Sequence, residues 1–75
     1  MKKICIVTST YNQQITYKLR SNAKRVLKSV DKISVTDFEV PGAFEIPVMI
    51  SKLAKRYDGF IAIGCVIKGQ TKNFD

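Results

Sequence analysis

The chain contains no histidine and no tryptophan, and its 75 residues include only two cysteines and two prolines. Without histidine there is no His-dependent nucleophilic triad, and without a Cys or His cluster there is no zinc site. Cys5 and Cys65 each sit inside an apolar, strand-like run, so we read both as buried free thiols rather than as a disulfide. No apolar run approaches the roughly 20 residues that a transmembrane helix needs. Met1-Lys2-Lys3 followed by Ile4-Cys5-Ile6-Val7 has the charge order of a signal peptide, but the apolar segment is short and ends in Thr8-Ser9-Thr10. We read it as a first strand and expect a cytoplasmic protein. Acidic residues are also scarce, six against thirteen Lys and Arg, which leaves a net charge of +7. Such a balance raises nucleic acid as a partner. The cations are spread along the chain, however. Their modest cluster at Lys18, Arg20, Lys24, Arg25, Lys28 and Lys32 reads as a solvated helix face, with no interleaved aromatics.

What is present fits one small globular domain over residues 1–75. Apolar residues make up 45% and charged residues 25%. A chain of this size buries only about 60% of its extended surface, so its core is small. Lys3 to Thr8 is rich in Ile and Val and continuous rather than alternating, which marks a buried parallel strand. Asn12 is a candidate helix N-cap after the polar loop Thr8-Ser9-Thr10-Tyr11. From Gln13 to Val30 the apolar residues Ile15, Leu19, Ala23, Val26, Leu27 and Val30 recur at helical spacing. Ile33 to Val40 alternates, as a strand near a sheet edge does. Pro47 fits the first turn of a second helix with the stripe Ile46, Met49, Ile50, Leu53, Ala54 and Tyr57. Gly59 suits that helix's C-terminal exit. The run from Gly59 to Ile67 reads as a fully buried strand, the kind found mid-sheet. The order βαβαβ predicts an α/β fold with a parallel sheet and right-handed crossovers.

In open parallel sheets, ligands bind beyond the carboxyl ends of the strands. Three loops fall on that edge: Ser9 to Asn12, Gly42 to Glu45, and Lys68 to Thr71. They offer aromatic faces, a carboxylate and a possible anion cradle, a set that suits a flat, polar, partly phosphorylated ligand. Each has a plainer reading. Tyr11 is equally a half-exposed aromatic, Gly42-Ala43 a turn, and Glu45 a first-turn carboxylate answering the helix dipole. Lys68-Gly69-Gln70-Thr71 lacks the spacing of a Walker loop or a dinucleotide fingerprint.

The longer strings are more specific. Val40-Pro41-Gly42-Ala43-Phe44-Glu45-Ile46-Pro47, together with Gly64-Cys65-Val66-Ile67-Lys68-Gly69-Gln70-Thr71-Lys72-Asn73-Phe74-Asp75, resembles the lumazine synthase family. Tyr11-Asn12 falls where that family has an aromatic-Asn pair. The resemblance runs from about Lys3 to Asp75 and covers the front half of the family's domain. It implies a three-layer αβα, flavodoxin-like fold, here a βαβαβ front half, and a chain truncated relative to that domain. It also implies a transferase of riboflavin biosynthesis that condenses 5-amino-6-(D-ribitylamino)uracil with 3,4-dihydroxy-2-butanone 4-phosphate. The product is 6,7-dimethyl-8-ribityllumazine, formed with loss of phosphate and water and without metal or cofactor.

By the same resemblance, Tyr11 stacks on the pyrimidine, and Ala43, Phe44 and Glu45 line the ribityl and pyrimidine pocket. Cys65, Val66 and Ile67 present backbone groups to the heterocycle, while Gln70 and Thr71 hold the phosphate. The family builds its sites between neighbouring subunits, so a pentamer-based homo-oligomer is expected of a complete chain. Asn73 occupies the position of the family's proton-donor histidine, and Thr10 stands where an arginine commonly precedes the aromatic residue. Two other readings remain open at this stage. One is a truncated, catalytically impaired remnant of the enzyme, and the other a basic nucleic-acid-binding module.

Overall fold

A computed structural model describes residues 1–65. The elements run β1 (Lys2–Ser9), α1 (Gln13–Lys28), β2 (Ile33–Val40), a 3-10 turn (Ala43–Glu45), α2 (Ile46–Leu53) and β3 (Gly59–Ile63). All pairings are parallel, and the strand order is β2-β1-β3. This is the βαβαβ arrangement of a partial flavodoxin-like α/β fold. The first crossover steps from β1 to one neighbour, and the second returns past β1 to the other. Right-handed crossovers in opposite directions put the two helices on opposite faces of the sheet.

Side-chain parity along the strands agrees with that placement. Cys5, Val7 and Val40 form the core with Ile46 and Leu53 of α2, flanked by Phe38, Met49, Ile50, Tyr57 and Phe60. The alternate positions of β2, Asp37 and Glu39, point to the other face and meet α1. There Arg20 pairs with Glu39 at 2.8 Å and Lys24 pairs with Asp37. The Arg20 guanidinium also lies 4.1 Å above the Tyr17 ring. A hydrogen bond between Tyr17 and Glu39 holds the phenol above its ordinary pKa and the carboxylate below its own, with Arg20 helping the carboxylate.

Among the described residues β1 is the central strand. Cys5, Ile6, Val7, Thr8 and Ser9 are all fully buried. Burial of an Ile or Val side chain contributes about 1.5–3 kcal/mol, so this strand supplies much of the core. The expectation that the Gly59 run lies mid-sheet is corrected for the described residues. There β3 flanks β1, and Ala62 is exposed. A continuous apolar run registers burial, but strand order is decided by the crossovers.

Four local expectations also change. The α1 stripe is only half covered: Ala23 and Leu27 are part-buried around a buried Thr16, while Ile15, Leu19, Val26 and Val30 stay about half exposed or more. Apolar periodicity fixed the helix, but the sheet covers only one side of a broad stripe. α1 closes at Lys28 through i→i−3 bonds, Ser29 N–H to Val26 O and Val30 N–H to Leu27 O, both 3.1 Å. α2 ends at Leu53, so Ala54 is exposed and Tyr57 belongs to the following turn. Gly59 is the first residue of β3 with no left-handed backbone, and closeness to β1 is what its lack of a side chain serves. A Cβ there would lie 3.1 Å from Ile4 Cδ1.

Candidate active site

The carboxyl ends of the strands bring three segments together. The first follows β1. Thr10 N–H donates to Val40 O at 2.7 Å, which ties this loop to the end of β2. Tyr11 N–H donates to Ser9 Oγ at 3.1 Å, and this turn carries the Tyr11 ring out to 52% exposure. Asn12 then adopts a left-handed conformation, φ 61 and ψ 58. Its carbonyl accepts from Ile15 N–H at 3.0 Å and Thr16 N–H at 3.2 Å, opening α1.

Asn12 therefore occupies the N-cap position but does not cap with its side chain. Its Nδ2 instead donates to Cys65 Sγ at 3.6 Å, across 53 residues of sequence. Asn is among the few residues that enter the left-handed region readily, which explains the residue type here.

The second segment follows β2. Gly42 is extended, and the 3-10 turn closes with Glu45 N–H donating to Gly42 O at 3.1 Å. The turn divides its side chains. Ala43 packs against the core, whereas Phe44 is 84% exposed and Glu45 is exposed as well. Among the described residues the Glu45 carboxylate has no hydrogen-bond or ion-pair partner, so its acceptor sites are open.

The third segment follows β3. A Cβ on Gly64 would lie 3.0 Å from Ala43 Cβ and 3.3 Å from Ile46 Cδ1. Glycine at 64 thus lets the chain leaving β3 pass close against the 3-10 turn. Cys65 is free and half-buried, held by Asn12. Cys5 is free as well, buried on β1 in the core beside α2, and its thiol is pushed up first by burial and then by the Asp37 carboxylate. The two sulfurs are placed too differently for one role.

Of the expected site residues, Tyr11, Ala43, Phe44, Glu45 and Cys65 all fall on this one edge. Val66, Ile67, Gln70, Thr71 and Asn73 lie outside the described residues. Two participants were not anticipated: the Asn12 side chain and the space at Gly64. The Asn12 contact has no local signal, because it joins loops that meet only in the folded sheet. Among the described residues no group of three or more His, Cys, Asp or Glu side chains is placed to hold a metal ion.

Among the described residues the arrangement presents one half-exposed phenol, one nearly bare phenyl ring and one carboxylate without a partner, above a tightly packed base. Such groups are of the kind that can stack on and hydrogen-bond to a flat polar molecule.

Comparison with known proteins gives one consistent result. The family model described as 6,7-dimethyl-8-ribityllumazine synthase matches residues 1–75. A protein of Limosilactobacillus reuteri named 6,7-dimethyl-8-ribityllumazine synthase is 41% identical over 75 residues, covering 97% of this chain and 49% of that protein. One of the same name from Pyrococcus furiosus is 40% identical over 74 residues, covering 97% of this chain and 47% of that protein. The chain therefore spans about half the length of the curated relatives it matches.

Proposed function

The chain belongs to the 6,7-dimethyl-8-ribityllumazine synthase family, and from that premise we propose that its carboxyl edge is the substrate-facing part of a lumazine synthase site. The reaction is the condensation of 5-amino-6-(D-ribitylamino)uracil with 3,4-dihydroxy-2-butanone 4-phosphate in riboflavin biosynthesis. It yields 6,7-dimethyl-8-ribityllumazine with loss of phosphate and water. The observation that carries this reading is the meeting of the three loops, with Asn12 bonded to Cys65 and Ala43 packed over Gly64.

On this reading Tyr11 stacks on the pyrimidine ring, since its face is half open and its backbone is fixed by Ser9. Glu45 accepts from the ribityl hydroxyls with its open carboxylate, and Phe44 and Ala43 form the adjoining wall. Cys65, Val66 and Ile67 offer backbone groups to the heterocycle, while Gln70 and Thr71 hold the phosphate of the second substrate. The main contribution is proximity, because an amine and a ketone held edge to edge form an imine without a metal. Asn73 stands at the proton-donor position. An amide does not titrate near neutral pH, so it orients a water or substrate group rather than supplying the proton. The intact enzyme is a homo-oligomer with sites between subunits.

The test is to mix the chain with both substrates and follow the absorbance and fluorescence of the lumazine. The reading expects a rate above the spontaneous condensation, raised further by Asn73→His. A rate equal to the spontaneous one for both forms overturns it.

A further inference from the structure

The amino ends of the strands carry a second concentration of polar groups, on the edge of the sheet away from the three loops. A cavity of about 390 Å³ is lined there by Lys3, Ser34, Thr36, Lys55, Arg56 and Tyr57. That volume lies within the range of small-molecule sites. Lys3 and Ser34 are register partners, and Thr36 follows Ser34 on the same face of β2.

The opposite wall comes from the turn after α2. Arg56 N–H donates to Leu53 O at 2.9 Å, which fixes the turn. The Tyr57 ring meets Phe38 and Phe60 edge-on, with centroid separations of 6.4 and 5.8 Å. The cleft therefore has a rigid floor beneath long, adaptable cationic side chains.

Its charge is unbalanced. Among the described residues the side-chain ion pairs are Arg20–Glu39 and Lys24–Asp37, and neither involves Lys3, Lys55 or Arg56. Two carboxylates adjoin the lining residues in sequence: Asp37 pairs with Lys24, and Asp58 Oδ2 accepts the Lys3 N–H at 2.7 Å. In return, Asp58 N–H donates to Lys3 O at 2.7 Å. The Asp58 carboxylate is hydrogen-bonded to backbone and leaves the three basic residues in excess, while three basic and three hydroxyl-bearing residues line the cavity.

We propose that this cleft binds the phosphate group of a small molecule, with Arg56, Lys55 and Lys3 supplying charge and Ser34, Thr36 and Tyr57 supplying hydroxyl contacts. A phosphate dianion fits better than a carboxylate because it offers more acceptor oxygens to a convergent donor set. A guanidinium fork also matches two of those oxygens at once. The site is separate from the carboxyl edge. From Lys3 to Ser9 the strand advances about 20 Å at roughly 3.3 Å per residue. A phosphate held here is therefore a different one from the phosphate that the proposed reaction handles.

The experiment is a titration of the chain with inorganic phosphate and with ribose 5-phosphate at constant ionic strength, read from backbone amide shifts. The proposal expects saturable shifts at Lys3, Ser34, Thr36, Arg56 and Tyr57. Tighter binding of the ester assigns the site to phosphorylated small molecules, and equal binding to the free ion. Arg56→Ala or Lys55→Ala should weaken binding at least about tenfold. Both residues are exposed, so neither change threatens folding. Lys28→Ala, an exposed cation on α1, should leave binding unchanged. Unsaturable shifts, shifts centred on the α1 cations, or an Arg56→Ala variant that binds as tightly as the parent would each overturn the proposal. Lumazine formation does not enter this readout, so failure here leaves the proposed reaction untouched.

Discussion

Asn12 Nδ2 donates to Cys65 Sγ at 3.6 Å, joining the loop after β1 to the end of β3. The bond is made from a left-handed backbone with φ 61. Asn12→Ala should therefore cost about 1–2 kcal/mol from the backbone conformation alone, and Asn12→Gly should recover most of it. Both variants release Cys65. Thiol alkylation followed by mass mapping should show Cys65 reacting faster in both, while the buried Cys5 stays protected. Unchanged Cys65 reactivity in both variants would show that the bond does not shield the sulfur.

Gly64 and Gly42 separate a packing glycine from a permissive one. Gly64→Ala forces Ala43 and Ile46 to move, because its new Cβ would lie 3.0 Å from Ala43 Cβ. Overpacking of this kind costs about 1–3 kcal/mol. Gly42→Ala should be nearly neutral: its φ is −137, and the nearest atom to a new Cβ is Glu45 Oε1 at 3.9 Å. Urea denaturation of the two variants distinguishes them.

The Tyr17–Glu39 contact gives stability a dependence at both ends of the pH scale. The carboxylate of Glu39 is held below its ordinary value of 4.5, so its contribution is present above that pH and is lost as pH falls through the lowered value. Tyr17 is held above its ordinary value of 10.0, so its contribution is present below that pH and is lost as pH rises through the raised value. Tyr17→Phe should flatten the alkaline limb of melting temperature against pH and weaken the acid limb. Both groups are solvent-facing, so the changes should be small and should shrink further in high salt.

Much of this fold was legible in the residues. The alternation from Ile33 to Val40 marks β2 at its observed limits, and the start of α1 at Gln13 follows from the apolar spacing after Asn12. The parallel βαβαβ order follows from two continuous apolar strands and one alternating strand separated by amphipathic helices. Periodicity could not rank the strands, so the Gly59 run was expected mid-sheet where β1 now stands among the described residues. It also could not say how much of a stripe finds a partner, as Leu19 and Val26 show. The shared edge of the candidate site was legible as a set of loops, because Tyr11, Glu45 and Cys65 all follow strands. The bond between Asn12 and Cys65 was not, since no local pattern encodes a contact between residues 53 apart.

The exposed flank of α1 has its own consequence. Ile15, Leu19 and Val26 are 48%, 48% and 62% exposed, so polar replacements there give up little burial. Leu19→Gln with Val26→Gln should shift stability by no more than about 0.5 kcal/mol for each change. The pair should also increase the soluble fraction at high concentration. Light scattering and a urea melt on the double variant check both halves. A cost of several kcal/mol would show that this flank is covered.

The account rests most heavily on the carboxyl edge holding the ribitylaminouracil. The direct measurement is a titration of the chain with 5-amino-6-(D-ribitylamino)uracil alone, read from backbone amide shifts and repeated with Tyr11→Ala and Glu45→Ala. The account predicts saturable shifts confined to residues 9–12, 42–45 and 64–67, with each substitution weakening binding about tenfold, or roughly 1.4 kcal/mol. Saturable shifts centred elsewhere, or affinity that both substitutions leave unchanged, would contradict it.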